Sequence, residues 1–411
     1  MTADFTRCGD GAFRLEIPEV GVVLEVDRLR RKFEELIGEL TVRCDLPGAQ
    51  RVSSDGTLSI ADLNLSSQRA RQERAVHLAK RAQTDGQFDW VGLIERFCQR
   101  VIAEERAGQP AVRLRDLPML APEDAAMTID GVPLLARHPL TIFGMGGALK
   151  SLMALYWVGR LALRGQAVLW ADWEFDGSEH RARLQRIFGV DQMPERVYYV
   201  RCDRALTHEA DRLRRLIREL AVTYLVIDSV AFATDGPPEA AESAASFFRA
   251  LRSLDVGSLL IAHTTKAETG DQQPFGSIFW HNGSRSTWFI KRSEDTADAS
   301  TVTVGLFHRK ANTGPILAPT GYAVRFTNDQ IEFSHADIAR DDSLAVKLTC
   351  AQKMMSLLRR GPLTIAQIAD EIGEKPETIS RTVLRSRNRA FTRVGSTDGR
   401  ERISLVERRT A

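Results

Sequence analysis

The sequence predicts an α/β protein: a core with a mostly parallel sheet and a glycine-rich loop at a strand end, a small N-terminal α+β domain, and a basic, helical C-terminal domain. Three observations carry this reading. Between about 138 and 335, apolar strands alternate with helix-length segments, the pattern of a parallel sheet covered on both faces. A glycine-rich stretch, Gly144-Met145-Gly146-Gly147-Ala148-Leu149-Lys150-Ser151, follows the strand ending at Phe143 and opens a helix. From 344 to 411 the charge balance changes to 14 Lys/Arg against 7 Asp/Glu, leaving 42 against 47 for the rest of the chain.

Length and composition set the frame. At 411 residues the chain suggests two or three domains. With 43% apolar and 27% charged residues it is globular in composition. A net charge of +2 excludes a polycation that coats nucleic acid by charge alone. No stretch of about 18 residues lacks charge, so no membrane span is expected. Asp4, Arg7 and Asp10 stand where a signal peptide needs an apolar run. Cys8, Cys44, Cys98, Cys202 and Cys350 are scattered, without a C-x-x-C pair. Such a set fits reduced thiols in a cytoplasmic protein.

The N-terminal domain is expected over 1–110. Phe13 to Ile17, Val22 to Val26, Leu40 to Cys44 and Leu58 to Leu65 read as strands, with Asp55-Gly56 a hairpin signal between the last two. Helical spacing follows from about Ser67 to Ala82 and from about Asp89 to Glu105. No catalytic constellation stands out, which suits a packing or partner-binding module. Pro110, Pro118 and Pro122 interrupt the periodicity, so 111–134 reads as a linker.

The core is expected over 135–335. Its strands are Leu140 to Phe143, Ala167 to Ala171, Val197 to Val200, Tyr224 to Ile227 and Ser258 to Ala262. Ser286 to Ile290, Val302 to Phe307, Tyr322 to Phe326 and Gln330 to Phe333 read as antiparallel strands extending the sheet.

The stretch after Phe143 is close to a Walker A loop, G-x-x-x-x-G-K-[ST]. Glycines let backbone N–H groups turn inward as an anion nest, and the helix N-terminus adds positive potential. ATP is therefore the expected ligand of Gly144, Met145, Gly146, Gly147, Ala148, Leu149, Lys150, Ser151 and Leu152. Lys150 would reach the terminal phosphates, and Ser151 with Asp228 would hold Mg²⁺. Leu149 stands where the pattern has its last glycine. Tyr224-Leu225-Val226-Ile227-Asp228 ends in a carboxylate as a Walker B strand does, although strands also end in Asp to cap the next helix.

With Asp172-Trp173-Glu174-Phe175-Asp176 after the next strand, the chain resembles the RecA-fold ATPases, especially the hexameric replicative helicases of the plasmid RepA and DnaB type. The resemblance covers roughly 135 to 335. It implies that Glu174 is the catalytic carboxylate, the alternative being that these acids form a solvated loop. It implies a γ-phosphate sensor at His263 in Leu260-Ile261-Ala262-His263-Thr264-Thr265-Lys266, and mobile loops facing a channel at Thr265 to Phe275. Gly276-Ser277, Asn282, Ser284-Arg285 and Trp288 resemble a Gly-Ser segment and an Arg-bearing helix. Arg309-Lys310-Ala311-Asn312-Thr313-Gly314-Pro315 resembles the finger that enters a neighbour's ATP site. Lys310 keeps the lysine, Asn312 replaces the arginine, and Arg309 stands nearby as a substitute. The implied assembly is a homo-oligomer, in the family a hexamer, with single-stranded DNA at the core loops and at Arg285.

The C-terminal domain, 344–411, begins with an amphipathic helix from 344 to 360, stopped by Gly361-Pro362. Thr364 with Gln367 forms a capping box, Gly373 ends that helix and Pro376 starts a third. With strands around Asp398-Gly399, the pattern resembles a winged helix-turn-helix. Duplex DNA would meet Ser380, Arg381, Arg385, Arg387 and Arg389, with Arg400 and Arg402 on the wing. Winged helices also serve as protein-docking modules.

Two functional readings lead. One is a DNA-associated, ATP-hydrolysing motor, helicase-like or helicase-loader-like, in replication or repair. The other is an ATP-switched DNA-binding regulator with vestigial hydrolysis, which Leu149 and Asn312 favour. A small-molecule kinase ranks last, because no lid is recognisable and the basic domain is left unexplained.

Overall fold

The computed structural model describes all residues except 1–2, 9–10, 85–87, 109, 121–125, 175, 265–273, 275, 295–297, 299, 387–389, 396–400 and 407–411. The chain forms two compact units, one built mainly on 1–120 and the other mainly on 121–411. None of the described helices is long and apolar enough to cross a membrane.

In the first unit an antiparallel meander runs β1 (Asp4–Arg7), β2 (Phe13–Ile17), β3 (Val22–Lys32), β4 (Glu35–Cys44) and β5 (Thr57–Asn64). Alternation decides which face is buried: Leu36, Leu40, Val42 and Cys44 of β4 point into the core. Helices α1 (Gln68–Ala82) and α2 (Trp90–Ala107) supply the other layer, through Ala75, Leu78, Leu93, Ile94, Phe97 and Val101. Ser67 caps the first by accepting from Ala70 N, and Asp89 caps the second by accepting from Gly92 N. Strand β3 outruns its expected end at Val26, because Arg30, Arg31 and Lys32 are exposed and carry no apolar alternation. Asp55-Gly56 does not make a two-residue hairpin. It closes a longer connection, in which the Asp55 carboxylate accepts from Thr57 N and Gly56 takes a φ of +85°.

The second unit is organised around a sheet that has, among the described residues, nine strands. They are β8 (Pro139–Gly144), β9 (Val168–Asp172), β10 (Val197–Arg201), β11 (Tyr224–Asp228), β12 (Gly257–His263), β13 (Ser286–Arg292), β14 (Thr301–Ala311), β15 (Thr320–Phe326) and β16 (Ile331–Ala336). Their spatial order is β10-β9-β11-β12-β8-β13-β14-β15-β16. The strands from β10 to β13 are parallel and the last three antiparallel. Helices α3 (Lys150–Leu163), α4 (Gly177–Phe188), α5 (Leu206–Glu219), α6 (Val230–Ala233), α7 (Ala241–Arg252) and α8 (Ile278–Gly283) connect the parallel strands. Placing β8 between β12 and β13 puts the glycine-rich loop at the centre of the strand ends, where open α/β sheets bind ligands.

Two sequence expectations change here. Ser286 to Ile290 is parallel to β8, with Ser286 opposite Leu140, because the short helix α8 completes a crossover before it. The stretch 111–134 is also more than a linker. Ala126–Ile129 (β6) and Val132–Leu135 (β7) form a hairpin across Asp130-Gly131, both with positive φ. Ile129, Val132 and Leu134 are buried in one cluster with Leu140 and Trp157. The Asp130 carboxylate accepts from Tyr156 Oη at 2.7 Å and pairs with Arg160 at 3.2 Å, fastening the hairpin to α3.

The C-terminal residues belong to this second unit. The helix expected over 344–360 is broken into α9 (Asp342–Ala345) and α10 (Cys350–Leu358), because Thr349 caps a fresh start with Gln352. Helices α11 (Ile365–Ile372) and α12 (Pro376–Arg385) follow, the first ended by Gly373 in the left-handed region. Strands β17 (Phe391–Gly395) and β18 (Glu401–Leu405) pair antiparallel, and Leu363 bridges to Ile403. Met354, Leu358, Ile368, Ile379, Val383, Phe391 and Ile403 form their common core. Ser356 Oγ donates to the Asp337 carboxylate at 2.8 Å, and buried Leu344 lies against Gly305.

Candidate functional site

The site begins where β8 stops. A Cβ at Gly144 would come within 2.3 Å of the Ile290 carbonyl oxygen, so β13 leaves room for glycine alone. Gly147 takes a φ of +74° and gives the loop its turn. Leu149 then caps α3 with φ +61° and ψ +24°, the left-handed conformation that the motif's glycine would supply without strain. Its side chain packs against the sheet core, which offsets part of that strain.

Lys150 is 6% exposed and donates to the Gly144 and Met145 carbonyls at 3.1 and 2.9 Å. The loop thus folds over its own lysine, and phosphate oxygens would compete for the ammonium. Burial lowers the Lys150 pKa, while the carboxylates of Asp228 and Glu174 work against that shift.

Strands β9 and β11 bring two carboxylates to one level, with Asp172 paired to Asp228 in register. Asp228 is 1% exposed, and its Oδ2 has no hydrogen-bond partner. Burial pushes its pKa up to about 6, with the charges of Glu174 and Asp172 adding and the Ser151 hydroxyl opposing. An orphaned carboxylate oxygen beside a hydroxyl fits a divalent cation or its water shell, so these residues suit Mg²⁺. Among the described residues Asp172, His180 and Asp228 also place donor atoms within 4.8 Å of one another. Asp172 and His180 are bonded to each other at 3.1 Å, which leaves Asp228 as the open member.

Glu174 lies one turn beyond β9. Its carboxylate accepts from Ser229 Oγ and lies 3.6 Å from His263 Nε2 at the tip of β12. The His263 contact, with smaller help from Ser229 and Lys150, holds its carboxyl below the usual range despite burial. Glu174 is thus ionised at neutral pH. The three acids after β9 are not one solvated loop. Asp172 is fully buried, Glu174 is half-buried, and Asp176 caps α4 by accepting from Ser178 and Glu179 N.

Gly146, Gly147, Ala148, Leu149, Lys150, Ser151, Leu152, Glu174, Asp228 and His263 line one cavity of about 480 Å³, a nucleotide-sized volume. Sequence reading missed its other walls: Glu179, Arg183 and Arg186 of α4, with Ile261, Phe326 and Ile331. Arg186 is held by the Thr327 carbonyl at 2.6 Å. Glu179 and Arg183 form an i, i+4 pair that the spacing announces. Phe326 and Ile331 reach the cavity through the antiparallel strands, a juxtaposition with no local signal.

The structure does not bring Lys310 to this cavity. Its ammonium donates to the carbonyls of His281, Asn282 and Ser284 at 2.8–3.0 Å, closing the C-terminus of α8. Arg285 is exposed beside it, before β13. Arg381 and Arg385 are exposed on α12, Ser380 is half-buried there, and Arg402 is half-buried on β18. Arg387, Arg389, Arg400, the Asp398-Gly399 turn, and all of Thr265 to Phe275 except Pro274 lie outside the described residues.

A family model described as an AAA domain matches residues 110–269. No curated protein matches the chain. Among solved structures, an isolated ATPase domain is 13% identical, covering 49% of this chain and 86% of its own, with a TM-score of 0.41. A KaiC-like protein from the hyperthermophilic archaeon Pyrococcus horikoshii OT3 is 14% identical, covering 49% and 91%, with a TM-score of 0.38. The glycine loop, the order of the strands and the family match together make the core of the second unit a P-loop ATPase fold, similar to the AAA domain over 110–269.

Proposed function

We propose that the chain is a RecA-like, ATP-hydrolysing motor associated with DNA, helicase-like or helicase-loader-like, working as a homo-oligomer in replication or repair. The single observation that carries the proposal is the convergence of Lys150, Ser151, Glu174, Asp228 and His263 on one cavity, with the buried Asp228 Oδ2 left without a protein partner.

In this reading the loop N–H groups and Lys150 hold the β- and γ-phosphates of ATP. Mg²⁺, held through Ser151 and Asp228, supplies charge neutralisation on those phosphates when bound. Glu174, ionised and oriented by Ser229 and His263, aligns a water against the γ-phosphorus and accepts its proton as the bond to ADP breaks. His263 touches Glu174 and lines the cavity, so loss of the γ-phosphate is transmitted to β12 and the segment after it. Single-stranded DNA is placed at that segment and at Arg285. Duplex DNA is placed at a C-terminal winged helix through Ser380, Arg381, Arg385 and Arg402, together with Arg387, Arg389 and Arg400.

One observation favours the second reading, an ATP-switched DNA-binding regulator. Lys310 is engaged by three carbonyls of its own chain and Asn312 replaces the arginine beside it, so the lysine of the expected finger is occupied within its own chain. The two readings separate in one experiment, in which ATP turnover is measured with and without single-stranded DNA beside sizing of the same sample. The motor requires an oligomer whose turnover rises with DNA. Turnover at background, with site-specific duplex binding retained, establishes the regulator instead.

A further inference from the structure

Resting on that reading, we propose that Asp172, braced by His180 and Tyr199, is the positioning residue for Glu174 and acts through the backbone of the turn that carries it. Asp172 is fully buried at the tip of β9 and does not line the nucleotide cavity. One carboxylate oxygen accepts from the Glu174 backbone N–H at 2.8 Å, two residues on, which fixes the turn leaving the strand. The other accepts from His180 Nε2 at 3.1 Å and Tyr199 Oη at 3.2 Å.

Those two partners come from different elements, α4 and the edge strand β10. His180 is 5% exposed, with its ring 4.8 Å from that of Trp170, so it has little freedom to leave the carboxylate. The backbone adds two ties: Trp173 N donates to Asp228 O at 2.6 Å, and Cys202 N donates to Asp172 O at 2.8 Å. Residues 172–174 are thus held from the two neighbouring strands, β10 and β11, and from α4. A buried carboxylate is costly unless hydrogen-bonded, and here its acceptors are spent on holding the glutamate's main chain and on two fixed donors. The side chain of Glu174 is left to reach Ser229, His263 and the cavity.

The consequence is a split between binding and chemistry. Nucleotide is held by the loop, whereas alignment of the water depends on Glu174, and displacement by about 1 Å costs up to ~10²-fold in rate. The test measures steady-state turnover and MgADP affinity of the full chain for His180→Ala, His180→Gln and Tyr199→Phe. We expect His180→Ala to lower kcat by about 10- to 100-fold with KM and MgADP affinity within about twofold of wild type. Gln presents an amide N–H near the position of Nε2, so His180→Gln should recover most of that loss. Tyr199→Phe deletes one hydroxyl and should lower kcat by several-fold at an unchanged melting temperature, which keeps the test decisive should His180→Ala not fold. Equal loss in the Ala and Gln variants, full turnover in Tyr199→Phe, or kcat and affinity falling together overturns the proposal. Wild type without turnover overturns the hydrolytic reading and the positioning role with it, whereas active wild type with unaffected variants overturns the positioning role alone.

Discussion

Asp172 and Asp228 stand opposite each other at the ends of two adjacent parallel strands, and the protein provides fully for the first only. Asp172 has donors from Glu174, His180 and Tyr199, while Asp228 Oδ2 is buried without one. Burial pushes Asp228 up to about 6, and the neighbouring charges of Glu174 and Asp172 add to it. The fold thus holds one carboxylate in place for architecture and leaves one oxygen of its neighbour without a protein donor.

The first prediction follows from that shortage. The pKa of Asp228 rises from 3.8 to about 6 on folding, so between these values the native state binds more protons than the unfolded chain. Stability from this group is therefore greatest at low pH and is lost as pH rises through the window. Above pH 6 the full cost applies, on the order of 1–3 kcal/mol. Asp228→Asn should raise the melting temperature in metal-free buffer at pH 7.5 by several degrees, while abolishing the further rise that Mg²⁺ and nucleotide give wild type. In wild type that ligand-induced rise should fade as pH drops below about 6. Melting curves at pH 5 and 7.5, with and without Mg²⁺-nucleotide, decide both points. A variant that melts below wild type without metal is incompatible with an orphaned carboxylate.

Glu174 separates chemistry from binding. It is ionised, and it touches Ser229 and His263 but makes no hydrogen bond to the phosphate loop. Glu174→Gln keeps the shape and removes the base. Turnover should fall by about 10²- to 10⁴-fold with nucleotide affinity preserved. Single-turnover rates beside equilibrium binding measure the split, and an equal loss in both assigns the residue to binding instead.

How much of this was legible beforehand varied with the range of the signal. Lys150, Ser151 and Asp228 were readable because a loop and a strand end carry local patterns, and the cavity contains all three. Thr364, Gln367, Gly373 and Pro376 marked helix boundaries that the structure keeps. The Asp130-Gly131 turn was just as local, but the surrounding prolines masked it and the hairpin read as linker. The direction of β13 depends on the short crossover through α8 and could not be read from strand composition. The buried placement of Asp172 had no local signal, because its partners, His180 on a helix and Tyr199 on another strand, meet only in the fold. Lys310 was read by analogy of spacing, whereas its acceptors, the carbonyls of His281, Asn282 and Ser284, are set by where α8 ends.

Leu149 offers a test of backbone strain. The left-handed region costs a non-glycine residue about 1–2 kcal/mol, and the side chain recovers part of that by packing on the core. Leu149→Gly removes both terms, whereas Leu149→Ala keeps the strain and loses the packing. Gly should therefore be the more stable of the two variants by roughly 1 kcal/mol, with turnover at least equal to wild type. Denaturant titration and ATPase assay of the pair measure this. A Gly variant less stable than the Ala variant would show that the loop is not strained at this residue.

The C-terminal domain makes a prediction in salt. Arg381 and Arg385 lie one turn apart on the exposed side of α12, and Ile379 and Val383 of the same helix fill the core, so the two cations can be removed without touching packing. If this helix meets duplex phosphate, each arginine releases about one counterion, and the slope of log affinity against log salt changes by about 0.9 per contact. Arg381→Ala with Arg385→Ala should flatten that slope by roughly 1.8, weaken duplex binding most at low salt, and leave basal ATP turnover unchanged. Fluorescence anisotropy of a labelled duplex across a salt series gives the slope directly. An unchanged slope moves the duplex contact off this helix, and an unchanged slope with lost oligomer assembly makes the domain a protein-docking module.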